Sequence, residues 1–222
     1  MFVLEINIML FTLTITLHQI LNLTYSGITS FAASYGYVAL MALMILEAAS
    51  FPVPSEVVLP VFGALSASGQ YGLNVYAVLL ITFVSSLIGM AIDYYVAYFL
   101  GKEVIYKHLH LFHIKRESLE AFENWFSSNG NVAVFVSRLL PVIRGPISFV
   151  AGFAEMNQKK FYAYSMLGSI IWDTVLVAFG YLAIGSGSSA MDILIAIGIF
   201  VAVVYTIYHY AMKGIRRGSL KT

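Results

Sequence analysis

The chain has no cysteine. That absence excludes disulfides, thiolate nucleophiles and cysteine-ligated metals, and it leaves the compartment open. Charge is almost as scarce. Charged residues make up 10% of the 222 positions and hydrophobic ones 60%, with a mean hydropathy of +0.85. No soluble domain of this length needs so apolar a surface, so the composition is that of a polytopic membrane protein. Proline is rare too, and all five (Pro52, Pro54, Pro60, Pro141 and Pro146) fall in two short stretches. There is no glycine-rich phosphate loop and no metalloprotease motif, so no cofactor is expected. His108, His110 and His113 could gather a metal, but an aromatic-rich polar loop is a poor setting for one.

What is present gathers around Val132 to Gly152, which reads VAVFVSRLLPVIRGPISFVAG. The stretch is apolar enough to enter a bilayer, yet it carries Arg138, Arg144, Pro141 and Pro146. An arginine near the bilayer centre costs roughly 2.5–3.5 kcal/mol on insertion scales. Each proline removes a backbone donor and clashes with the preceding turn. Broken backbone at membrane depth survives only where protein buries it or where it lines a watery cavity. The stretch therefore predicts a re-entrant hairpin holding two guanidinium groups in a cavity. The alternative is a kinked spanning helix whose arginines snorkel to the surface.

In chain order, residues 2–21 are apolar over a spanning length, without the basic start or cleavage site of a signal peptide. Residues 37–68 are two apolar halves, each too short to cross, flanking FPVPSE and carrying Glu47 and Glu56. They predict a first re-entrant hairpin. Residues 75–100 form a full span with Asp93 in its second half. In residues 115–129, Leu119, Phe122 and Phe126 recur at helical spacing, with Glu117, Glu120 and Glu123 on other faces. That is an amphipathic helix lying in the interface, with Gly130 as its stop. The second hairpin follows over 132–156, then a span over 161–184 containing Asp173, a last span over 193–212 and a basic tail over 213–222. The whole chain reads as one all-α membrane domain.

Lys and Arg set the orientation. Apart from the two arginines at membrane depth, ten of the twelve basic residues remain, from Lys102 to Lys221. If the second hairpin enters and leaves on one face, all ten fall on a single side. By the positive-inside rule that side is cytoplasmic, and both termini lie there. The first hairpin then dips from outside and the second from inside. Internal symmetry agrees: each half has a proline-containing hairpin followed by a span bearing one aspartate. Broken segments at corresponding places in two oppositely oriented repeats point to a transport site at their junction.

Six ionisable residues are expected at membrane depth: Glu47, Glu56, Asp93, Asp173, Arg138 and Arg144. Four acids against two bases leave titratable carboxylates beside fixed cations. An arginine fork suits bidentate contact with phosphate and does not deprotonate. A carboxylate paired with Arg144 would compete with an anionic substrate, and its protonation would release the arginine. The plainer alternative is six charges pairing to brace two hairpins. Buried ion pairs rarely add net stability, so that is an expensive brace. Ser55 and Ser137 have no neighbouring base and are read as packing or hydrogen-bonding residues.

Three motifs resemble the DedA family, also called the SNARE-associated or VTT-domain family. They are Glu47 through FPVPSE, the G-x-x-x-D-Y-x-x-A-Y-x-x-G run from Gly89 to Gly101, and above all FVSRLLPVIRGPISFVAG. The resemblance implies two opposed re-entrant hairpins and lipid transport. Members are linked to recycling undecaprenyl phosphate across the bacterial membrane, to phospholipid scrambling in eukaryotes, and to dependence on the proton-motive force. The family's essential acid pair matches Glu47 and Glu56, and its arginine pair matches Arg138 and Arg144. The chain departs in having Ser137 where glycine is usual, Gly145 where threonine is common, and Glu56 within PSE where some members place an aspartate further along. These departures bear on headgroup specificity.

The expectation is a non-enzymatic flippase in the plasma membrane, moving a polyprenyl-type phosphate lipid with proton coupling. Arg138 and Arg144 would bind substrate, Glu47 and Glu56 would gate it by protonation, and Asp93 and Asp173 would orient the arginines or relay protons. The partners are the phosphate-bearing lipid, protons and bilayer lipids, with a homo-oligomer left open and no nucleic acid. The rivals are an uncoupled phospholipid scramblase, a small-ion transporter or structural factor for membrane complexes, and a lipid phosphatase. The last would need a nucleophile or metal triad at depth, which the sequence does not supply.

Overall fold

The computed structural model describes residues 26–69, 71–107, 116–141 and 143–186, with isolated positions 19, 23, 198, 199, 202, 203, 205 and 206. Apart from those isolated positions, the expected helix over 2–21, the last span over 193–212, the basic tail and the three clustered histidines lie outside the described residues. Among the described residues every regular element is helical. The named helices are α1 (Tyr37–Ala48), α2 (Ser55–Ser68), α3 (Val75–Lys107), α4 (Arg116–Arg138), α5 (Pro146–Phe153) and α6 (Gln158–Ser186). Residues 26–35 are helical as well, and Gly36, at φ +53, turns the chain into α1.

Among the described residues two helices are long and apolar enough to cross a membrane, over Val75–Leu100 and Gln158–Ala183. Their outward residues stay apolar: Tyr76, Leu80 and Phe99 are each more than 60% exposed on α3. A helix hydrophobic on all sides suits a lipid solvent rather than water. By contrast α1 has 12 residues and α2 has 14. At 1.5 Å per residue these are about 18 and 21 Å, short of the roughly 30 Å hydrocarbon core.

The break between α1 and α2 has a local cause. Ser50 sits at φ +60, and Pro52 and Pro54 cannot donate to a helix. The chain then doubles back. At one end, the Asn74 amide N–H before α3 donates to the Tyr37 hydroxyl at 2.7 Å, and α2 returns to the same end, since only the loop 69–74 separates it from α3. The break itself lies at the far end of this pair, where Ser50 meets Asp93. The second pair repeats the plan. Phe126, Ser127, Gly130 and Asn131 of α4 and Ala154 to Asn157 after α5 line one 230 Å³ pocket beside Lys160. The break over 139–145 lies at the other end.

Packing is reciprocal. Helix α1 lies along α3 and α2 along α6, while α4 lies along α6 and α5 along α3. Exchanging the first three helices for the last three leaves that pattern unchanged. Glycines make the close approaches, as small residues do between membrane helices. A methyl group on Gly89 would strike Ile45 and Ala48 of α1, and one on Gly168 would strike Phe135 and Arg138 of α4. Gly63 and Gly180 let α2 and α6 touch backbone to backbone, and Gly152 does the same for α5 and α3.

One boundary differs from the sequence expectation. Gly130 does not stop the amphipathic helix. Helix α4 runs unbroken from Arg116 to Arg138, so the expected interfacial segment and the first arm of the second hairpin are one rod. An interior glycine costs a helix only about 1 kcal/mol. Here the absent side chain has a packing use, because a methyl on Gly130 would sit 2.9 Å from the buried Phe126 ring. Helices α3 and α6 also run past the expected ends of their spans, to Lys107 and Ser186.

Two apolar clusters fill the interior. One joins α1, α2 and α6 around Phe62, Leu40 and Trp172. The other joins α3, α4, α5 and α6 around Tyr94, Phe126 and Phe161. The charged residues lie where the two breaks meet.

Candidate functional site

The two breaks touch each other. A methyl group on Gly145 would stand 3.1 Å from the Ser50 hydroxyl and 3.2 Å from its Cα. A larger residue at 145 would therefore push the first break away from the second. Around this contact the fold collects side chains from five helices or their ends.

Glu47, in the last turn of α1, meets Arg144, which precedes the first turn of α5. The distance from Arg144 Nε to Glu47 Oε1 is 2.5 Å, and each side chain is 8% exposed. Asp173 of α6 is the second anion, with Oδ1 at 3.9 Å from Arg144 Nη2. That separation exceeds hydrogen-bond length, so its attraction is purely coulombic. Trp172, one residue earlier, lays its ring 5.7 Å from the guanidinium carbon, within cation–π range. Among the described residues Arg144 Nη1 is buried without a hydrogen-bond partner. Its guanidinium is thus held on one edge and one face, with another edge unused.

Arg138, the last residue of α4, is 3% exposed and is held differently. Its Nη1 donates to the main-chain carbonyl of Arg144 at 2.5 Å. Its Nη2 donates to Ser148 Oγ at 2.6 Å and to Ser165 Oγ at 3.4 Å. Among the described residues it forms no ion pair. Asp93 of α3 takes the Ser50 hydroxyl as donor, and Ser86 Oγ donates to Asp173 Oδ2 at 3.5 Å.

Four of the six expected residues therefore share one buried centre: Glu47, Arg144, Asp173 and Arg138. Asp93 joins it through Ser50. Glu56 is half-buried in the first turn of α2. It makes no hydrogen bond or ion pair among the described residues, though its charge acts on Arg144. The sequence reading overlooked Ser50, Ser86, Ser148, Ser165 and Trp172. The only available signal was polar residues at depth in otherwise apolar helices, which does not say whom they meet. Ser55 and Ser137 are buried as packing residues would be. Among the described residues no group of acids and histidines could hold a metal.

A buried arginine with one edge on a carboxylate and another unused can trade anions. Arginine forks match phosphate oxygens in pairs.

The VTT domain matches residues 53–182, more than half of the chain, from the first break to near the end of α6. The chain belongs to the VTT-domain family. A Staphylococcus aureus relative described as undecaprenyl phosphate transporter A is 30% identical over 196 residues, covering 84% of this chain and 96% of its own. An alkaline phosphatase-like protein of Lactococcus lactis subsp. lactis is 30% identical over 151 residues, 66% of this chain and 70% of its own. Protein DedA of Escherichia coli K12 is 25% identical over 129 residues, 58% of each. No solved structure matches the chain. With two helices of spanning length and this family, the VTT-domain chain is a helical membrane protein.

Proposed function

We propose that this VTT-domain protein carries a phosphate-bearing lipid, a polyprenyl phosphate, between the leaflets of the plasma membrane. The carrying observation is the buried Arg144, paired with Glu47 at 2.5 Å while its Nη1 has no partner among the described residues. The named function of the Staphylococcus aureus relative supports the choice of lipid. In this reading helix pairs α1–α2 and α4–α5 are re-entrant hairpins from opposite faces, and the two halves are inverted repeats. Reciprocal packing of the halves supports that arrangement. The cations Arg138 and Arg144 supply the charge that draws the phosphate in. Glu47, with Glu56, Asp93 and Asp173 around it, supplies carboxylates whose protonation frees the cation.

Phosphate entering at Arg144 replaces one charge-assisted hydrogen bond with two. The displaced Glu47 is left buried and anionic, which is costly unless it takes a proton. Proton uptake would thus accompany substrate binding.

The experiment is transport of headgroup-labelled polyprenyl phosphate in liposomes at fixed internal pH while the external pH is stepped. Protein-dependent movement that responds to the step is expected. Movement indifferent to pH would replace coupling with uncoupled scrambling, and no movement would end the proposal. The phosphatase-like name of one relative favours a second reading, hydrolysis of the lipid phosphate. Release of inorganic phosphate in the same vesicles would reveal it.

A further inference from the structure

We infer that the two arginines have different tasks, with Arg144 taking the phosphate and Arg138 acting as a positioning residue that holds the second break through Arg144's main-chain carbonyl. The inference rests on the transport reading and sorts the residues within it.

The backbone of the break carries the argument. At membrane depth each unsatisfied carbonyl costs several kcal/mol, because no lipid group can donate to it. The carbonyls on either side of Arg144 are met by α5 itself: Ile147 N–H donates to Ile143 O at 3.1 Å and Ser148 N–H to Gly145 O at 3.0 Å. The Arg144 carbonyl instead receives Arg138 Nη1 at 2.5 Å. The other half of the Arg138 fork is committed to Ser148 of α5 and Ser165 of α6. Its stem passes over Gly168, where a methyl group would come within 2.5 Å of Arg138 Cβ. One guanidinium therefore ties the end of α4, the break, the first turn of α5 and the middle of α6.

The two arginines would give up different things to bind an anion. For Arg138 to turn its fork to a phosphate, it must abandon three acceptors, one of them a carbonyl with no other donor among the described residues. Among the described residues each guanidinium keeps one buried N–H without a partner, Nε on Arg138 and Nη1 on Arg144, but Arg144 gives up only the contact to Glu47, one anion for another. Arg138 thus fixes where Arg144's backbone lies, and Arg144's side chain meets the ligand.

Dodecyl phosphate binding to the detergent-solubilised protein, followed by thermal stabilisation, tests this beside the liposome assay. Arg144→Lys should weaken dodecyl phosphate binding by about tenfold or more, because the bidentate fork is lost. Arg138→Lys should leave that affinity within about threefold while the maximal transport rate falls about tenfold, since a single ammonium cannot bridge carbonyl and hydroxyls together. Should Arg138→Lys fail to fold, the double variant Ser148→Ala with Ser165→Ala keeps the charge and loosens the fork. It should show the same split, a lower maximal rate at unchanged half-saturation. Equal loss of binding in the Arg138 and Arg144 variants would overturn the division, as would unchanged transport in both Arg138→Lys and the serine pair. A parent protein that binds dodecyl phosphate but moves no polyprenyl phosphate would sink the transport reading, while the binding arm still decides between the arginines. A parent that binds no phosphate amphiphile would sink both.

Discussion

Replacing Glu47 with glutamine should make the protein less stable and, at the same time, a tighter binder of phosphate. The carboxylate lies 2.5 Å from Arg144 Nε, and both side chains are 8% exposed, so solvent screens the pair little. A hydrogen bond to a charged group contributes roughly 1.5–3 kcal/mol, against about 0.5–1.5 for a neutral one. Removing one partner of a buried pair outright costs about 3–5 kcal/mol. Glutamine keeps the acceptor oxygen and loses only the charge, and Asp173 still faces the guanidinium at 3.9 Å. The expected loss of stability is therefore about 1–2 kcal/mol, well below complete removal of the partner. That same 1–2 kcal/mol is the part of Glu47's hold that an incoming phosphate no longer has to defeat. It corresponds to a gain in affinity of about 5- to 30-fold. The assay is thermal unfolding of the solubilised variant with and without dodecyl phosphate. The midpoint should start lower than the parent's and rise further at each ligand concentration. A variant whose affinity equals or falls below the parent's would refute the competition between Glu47 and substrate.

Gly180→Ala places a methyl on the Pro60 carbonyl, so α2 and α6 must part. The expected loss is about 1–3 kcal/mol or more, read as thermal stability, whereas Gly27→Ala, with nothing within 4 Å, should be neutral or slightly stabilising. For orientation, Gln158→Cys at the start of α6 should resist an impermeant thiol reagent applied outside intact cells, because in the proposed topology the second hairpin returns the chain to the cytoplasm. Ready labelling there would turn that hairpin into a full crossing.

Much of the architecture was written locally. Both breaks were legible because proline cannot donate and arginine is costly in hydrocarbon, and the sequence-derived hairpin over 37–68 begins with α1 and ends with α2. The two long helices were legible because uninterrupted apolar length has few other uses. Gly130 was misread because a glycine's meaning depends on its neighbour in space: the buried Phe126 ring makes it a packing position inside α4 rather than a stop.

The site divides the same way. Composition alone identified the six charged residues, since any charge at membrane depth must be answered by something. Which charge answers which was decided only by the tertiary structure. Glu47, Arg144 and Asp173 lie on three separate segments, and their meeting depends on where the first break touches the second at Ser50 and Gly145. Arg138 and Arg144 carry the same guanidinium six residues apart, and nothing in the sequence separates them. The fold does, because a side chain's hydrogen-bond partners come from helices distant in sequence: Arg138 finds a carbonyl and two hydroxyls, and Arg144 finds a carboxylate.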